Sequence, residues 1–180
     1  MTGQKHTTKE LTELYKVIME FLKDANITFI LFYGSLLGYH RDANFIENDD
    51  DIDVLIHRTD FDKLRLYIQN NIDKYPNITS NNNTYYYILQ LWCSDKGPFD
   101  IYPFEDHSTD HILIKWDGNL LYKKTDIYPI NIVNWHGYNI GIPNNIETIL
   151  LETYGNNWKV PQIKNVDYVW DNITTVKRLT

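Results

Sequence analysis

Four aspartates fall within five positions, Asp49, Asp50, Asp51 and Asp53, and Val54, Leu55 and Ile56 follow at once. Crowded carboxylates repel one another, and burying any of them without a partner is costly, so the cluster anticipates a positive charge. Side chains alternate along a strand: Asp51 and Asp53 then share one face while Ile52 and Val54 point into a core. Two carboxylates so placed suit a hard divalent cation, which takes oxygen ligands and is commonly held by one or two carboxylates plus substrate phosphates. Upstream, Gly34-Ser35 lies between an apolar run and a helix start. Glycine there lets a phosphate approach the backbone, the helix N-terminal N–H groups point outward, and the serine hydroxyl adds a donor. Taken singly, the acidic run also reads as a solvated loop and Gly-Ser as an ordinary turn. Together they point to phosphate chemistry assisted by a metal.

The elements that must position these residues are readable from periodicity. Thr7 and Glu10 form a capping-box pattern, followed by Leu11, Leu14, Tyr15, Ile18, Phe21 and Leu22 at helical spacing. Ile27 to Tyr33 reads as a buried strand ending at Gly34-Ser35, with a short helix starting over Leu36 to Arg41. Ile52 to Ile56 is a second strand, and Thr59 with Asp62 predicts the cap of a helix that buries Phe61, Leu64, Ile68 and Ile72. Tyr85 to Trp92 reads as an aromatic strand, returning through a turn at Lys96-Gly97-Pro98 into Phe99 to Tyr102. Asp117-Gly118 and His136-Gly137 mark two hairpins, and Asn144 caps a last helix with Glu147 at its third position and Gly155 as its stop. The expectation is one α/β (α+β) domain over residues 1–180, a mixed sheet flanked by helices.

The chain of 180 residues has length for one core, with a net charge of -7 and a lone cysteine, Cys93. The charge argues against a nucleic-acid partner, since phosphate backbones are bound by excess Lys and Arg. No apolar run approaches a membrane span, the first residues lack a signal-peptide core, and a single cysteine suits a reducing interior, so a cytoplasmic location is expected. Four N-x-T sequons, at Asn26, Asn77, Asn82 and Asn172, read as chance in an asparagine-rich chain. His107 and His111 have a metal-ligand interval but fall in a polar loop, and no nucleophile elbow, P-loop or dinucleotide fingerprint occurs. The tyrosines and tryptophans read mainly as core and cross-strand residues.

A strand, a Gly-Ser turn, a short helix and then D-x-D opening the next strand resembles the nucleotidyltransferase superfamily. More closely, GSLLGYHRDANFIENDDDIDV resembles the LicD and fukutin-related phosphotransferases. The resemblance continues through Phe99-Asp100-Ile101-Tyr102-Pro103, Tyr128-Pro129, Ile142-Pro143-Asn144 and Tyr154-Gly155-Asn156-Asn157-Trp158, in order from Phe32 to Pro161. It implies a nucleotidyltransferase-like fold in which Asp51, Asp53 and Asp100, the third carboxylate from a neighbouring strand, hold Mg2+ or Mn2+. Asp100 is also the implied acceptor of a proton, and taken alone it reads as a turn residue. Gly34 and Ser35 would bind a diphosphate, and Arg41 would balance phosphate charge or brace the acidic loop. The implied reaction moves a phospho-alcohol from a CDP-linked donor to a glycan or other hydroxyl acceptor and releases CMP. A conventional nucleotidyltransferase and a non-catalytic scaffold are the alternatives. Glu47-Asn48 replaces the Pro-Trp common in the family, so the loop over the site departs from the pattern.

Overall fold

The run Ile52–His57 forms a strand whose first five residues are all buried, Asp53 among them. That places it at the centre of a sheet covered on both faces, as its near-continuous apolar spelling requires. In this computed structural model the described residues are 4–81, 87–116 and 119–161, with the backbone of 177–178. In chain order the elements are α1 (Thr8–Leu22), β1 (Ile30–Leu31), α2 (Tyr33–Asp42), β2 (Ile52–His57), α3 (Arg58–Asn71), β3 (Ile78–Asn81), β4 (Leu89–Cys93) and β5 (Lys96–Asp106). Then follow β6 (His111–Ile114), β7 (Leu120–Lys123), α4 (Lys124–Ile127), β8 (Asn131–Trp135), β9 (Tyr138–Ile142), α5 (Ile146–Tyr154) and β10 (Lys177–Arg178).

The strands make one mixed sheet in the order β10-β7-β6-β5-β2-β1-β9-β8. β2 and β5 are parallel, β1 is antiparallel to β2, and the β8–β9 hairpin joins through a parallel contact of β9 with β1. The long β5 serves two neighbours on its other edge, β4 along its first half and β6 along its last residues. Strand parity then sorts the helices. Tyr15 of α1 stacks on Phe99 beneath the sheet, and the Tyr67 hydroxyl of α3 donates to the Phe21 carbonyl of α1 at 2.7 Å, so α1 and α3 share that face. α2 lies with α5 over the face that carries Asp53 and Asp100.

The α1 capping box is present in full, and the β6–β7 and β8–β9 pairings follow the two turn signals, although Asp117-Gly118 itself lies outside the described residues. Several boundaries differ from the sequence reading. β1 is two residues long rather than Ile27 to Tyr33, because the backbone turns at Tyr33, whose φ of 40° lies in the left-handed region, and α2 begins there. Gly34 and Ser35 are therefore in the first turn of α2 and not ahead of it. His57, not Thr59, caps α3, its ring nitrogen accepting from the Thr59 N–H at 3.3 Å. Asn145, not Asn144, caps α5, since the Asn144 amide is drawn to the Thr125 carbonyl. The chain turns at Ser94-Asp95, and Gly97-Pro98 is already part of β5. β4 starts at Leu89; Tyr85, Tyr86, Asn82, Asn83 and Asn172 lie outside the described residues.

Candidate active site

Parallel pairing of β2 with β5 sets Asp53 directly opposite Asp100. Asp51, two residues before Asp53 on the same face, completes a triangle in which one oxygen from each carboxylate lies within 4.8 Å of the others. Asp53 and Asp100 are only 5% and 4% exposed, and Asp51 is half-buried. No Lys or Arg pairs with these three among the described residues. Burial first, then mutual repulsion, holds Asp51 and Asp53 well above the usual carboxylate range. Burial pushes Asp100 up to about 7, against donors from Gln90 and Tyr102 that favour its ionised form. A cluster of carboxylate oxygens at this spacing, buried and without a Lys or Arg partner among the described residues, fits a hard divalent cation, which would take the place of the protons that burial favours. Asp49, Asp50 and Asp51 form a second such group, sharing Asp51.

The start of α2 locks onto Asp53. The Gly34 N–H donates to its Oδ2 at 3.1 Å, the Ser35 Oγ accepts its backbone N–H at 2.9 Å, and the Phe32 N–H donates to its carbonyl at 3.2 Å. A Cβ on Gly34 would lie 2.8 Å from Asp49 Oδ2 and 3.3 Å from Asp53 Oδ2. Any side chain there would press on two carboxylates, one of which would have to shift, whatever else Gly34 binds. Ser35 is buried, and its oxygen is already engaged with Asp53. Arg41 lies seven residues further along α2, about 10 Å from Gly34 at helical rise, with its guanidinium 2.8 Å from Asp42.

Other residues reach the site without having been singled out from sequence. The Tyr102 hydroxyl donates to Asp100 Oδ2 at 3.2 Å, and the Gln90 amide donates to Oδ1 at 3.0 Å. Tyr102 was discoverable, because it stands two positions after Asp100 on one strand. Gln90 was not, since only strand pairing brings it there. Burial, then the charges of Asp53 and Asp49, push the phenol of Tyr154, at the end of α5, well above its ordinary value. Tyr33, Tyr102 and Trp116 form an aromatic wall with centroid spacings of 5.4 and 5.7 Å. The acidic loop is held from beneath: the His6 N–H donates to the Asp49 carbonyl at 2.8 Å, the Asn48 N–H to the His6 carbonyl at 3.0 Å, and Glu47 accepts from the Thr8 N–H at 3.0 Å.

A mixed sheet with carboxylates on two parallel neighbours beneath a helix that begins Gly-Ser defines a nucleotidyltransferase fold. Among solved structures the chain is similar to the lincosamide antibiotic adenylyltransferase LnuA in its lincomycin-bound crystal form, with a TM-score of 0.52 and 16% identity over 82% of this chain and 85% of that one. The sequence matches the family described as LicD/FKTN/FKRP, nucleotidyltransferase domain, over residues 26–145, and the chain belongs to that family of transferases. No curated protein matches it. Among the described residues no helix is long and apolar enough to cross a membrane.

Proposed function

We propose that the protein is a metal-dependent phosphotransferase that moves a phospho-alcohol, such as phosphocholine or ribitol phosphate, from a CDP-linked donor to a hydroxyl of a glycan or small acceptor. The observation that carries this reading is the triangle of Asp51, Asp53 and Asp100 oxygens beneath the start of α2. Those three residues would hold Mg2+ or Mn2+, which in such sites neutralises phosphate charge and orients the attacking and leaving oxygens. The positive end of α2, where Gly34 and Ser35 sit, favours the donor's diphosphate through its field, while Gly34 N–H and Ser35 Oγ themselves hold Asp53 in place. Asp100 takes the proton of the acceptor hydroxyl as its oxygen bonds to the phosphorus bearing the alcohol. The bond from that phosphorus to the bridging oxygen breaks, and CMP departs. Arg41 pairs with its neighbour Asp42 on α2, and its role, balancing phosphate charge or bracing the acidic loop, is decided by whether Arg41→Gln changes donor KM or only stability.

Incubation with CDP-choline, CDP-ribitol or CDP-glycerol and Mn2+, scored by CMP formation, tests the proposal. Activity that needs the ion and is lost in Asp53→Asn supports it. A folded protein that releases pyrophosphate from ATP or CTP instead supports nucleotidyl transfer, the alternative that the adenylyltransferase neighbour favours. A folded protein that neither binds a divalent ion nor turns over either class of donor is a scaffold, and the proposal fails.

A further inference from the structure

Strands β3, β4, β5 and β2 carry polar residues at one level of the sheet. Asn81 lies opposite Gln90, Gln90 opposite Asp100, and Asp100 opposite Asp53. Along this row Asn81 Nδ2 donates to Gln90 Oε1 at 2.9 Å, and Gln90 Nε2 donates to Asp100 Oδ1 at 3.0 Å. We propose that Gln90, aligned by Asn81, is a positioning residue that fixes the plane of the Asp100 carboxylate for ligation of the divalent ion. The inference rests on the metal-centre reading above.

The chemistry of the row dictates its sense. An ionised carboxylate can only accept, so Gln90 must turn its NH2 toward Asp100. Its carbonyl oxygen then faces β3, where only a donor can answer, and Asn81 supplies one. Asn81 Oδ1 is buried with no hydrogen-bond partner among the described residues, so among them it is the bond to Gln90 that sets the orientation of this amide. Tyr102 anchors the second oxygen of Asp100 at 3.2 Å. Each oxygen is thus held through one lone pair and keeps another for an ion, and rotation about the Cβ–Cγ bond is blocked. Without Gln90 the anchor left among the described residues is Tyr102 on the same strand, and the carboxylate can swing. Gln90 is also neutral, so it orients the ligand without competing with the ion, as a lysine would.

Calorimetric titration of Mn2+ into the metal-free full chain tests this in the wild type, Gln90→Met, Asn81→Ala and the double variant, with thermal unfolding measured alongside. Outer partners of metal ligands typically contribute about 10–100-fold in affinity. Gln90→Met is expected to weaken Mn2+ binding within that range, and Asn81→Ala by less. Because Asn81 acts through Gln90, the double variant is expected to bind no more weakly than Gln90→Met alone. A purely structural role would lower the unfolding temperature and leave the Mn2+ Kd unmoved, which overturns the proposal, as do losses that simply add. Should Gln90→Met not fold, Asn81→Ala decides by the same readout, an unchanged Kd counting against the row. A wild type that takes up no Mn2+ removes the metal-centre reading together with this one, whereas a wild type that binds beside an unaffected Gln90→Met removes this one alone.

Discussion

Each acidic side chain in the cluster is held by a different part of the chain, and substitutions at these points separate binding from folding. Asp53 accepts two hydrogen bonds from the Phe32–Ser35 segment, donates a third to it, and gives one oxygen to the carboxylate triangle. Asp53→Asn keeps the shape but removes the charge of a proposed ligand. Since even outer partners contribute about 10–100-fold, the loss in CMP release is expected to reach at least about a hundredfold, measured at saturating Mn2+. Gly34→Ala is a sharper probe. Alanine is the better helix residue by about 0.5–1 kcal/mol, so propensity alone raises stability. The added methyl meets Asp49 Oδ2 at 2.8 Å, and the expected outcome is a Mn2+ affinity reduced about tenfold in a protein that unfolds at or near the wild-type temperature. Wild-type affinity in that variant would show that the two carboxylates are free to move aside.

At the scale of elements, the N-terminal helix and the acidic loop are one unit. The capping box closes α1, Glu47 from the loop accepts from the second residue of the box region, and the extended backbone at His6 pairs with Asp49. Thr7→Ala removes the side-chain cap and is expected to cost about 1 kcal/mol in urea unfolding, with little effect on the metal site. His6→Pro removes the donor that reaches the Asp49 carbonyl at 2.8 Å. It is expected to cost a similar amount of stability, about 1 kcal/mol, and in addition to weaken Mn2+ binding, because the loop that carries Asp49 and Asp50 loses its tether. Equal Mn2+ affinities in the two variants would dissociate the helix from the site.

For the molecule as a whole, a buried acidic cluster makes stability depend on pH. The Asp100 carboxyl titrates at about 7 in the folded chain against an ordinary value of 3.8. Between those values the folded state binds more protons than the unfolded one, so stability is fully present below about 4 and is lost as pH rises toward 7. Burial drives Asp51 and Asp53 in the same direction. In EDTA, Asp100→Asn lacks this penalty. It is expected to unfold at a higher temperature than the wild type at pH 8, with the gap closing toward pH 4. On the proposed function a divalent ion is expected to reverse the order, since it would bind the ionised cluster of the wild type with a stabilising effect that grows with pH. A wild type in EDTA that is no less stable than Asp100→Asn at pH 8 would mean that the cluster is neutralised from within the fold.

Much of this architecture was legible because it depends on neighbours in the chain. The spacing of Leu11, Leu14, Tyr15 and Ile18 reports the buried face of α1, Thr7 and Glu10 report its cap, and the turn signals report two hairpins. Alternation along one strand is enough to put Asp51 and Asp53 on a common face, and the D-D-D-I-D run beside an apolar strand announces a carboxylate site. What depends on pairing between distant segments was not legible. The helix start at Tyr33 follows from a backbone that must bring Gly34 to Asp53, and the cap at His57 from a ring that turns back onto Thr59. Gln90 and Asn81 read as ordinary polar strand residues until two registers align them with Asp100. The sequence by itself determined the composition of the site and the elements that carry it, since propensity, capping and alternation act over a few residues. That Asp100 joins Asp53 was expected only through the family resemblance; the tertiary structure alone decided the register that sets them opposite, how far the Asp100 carboxyl is raised and what holds it, because register and burial arise only when segments far apart in the chain share one sheet.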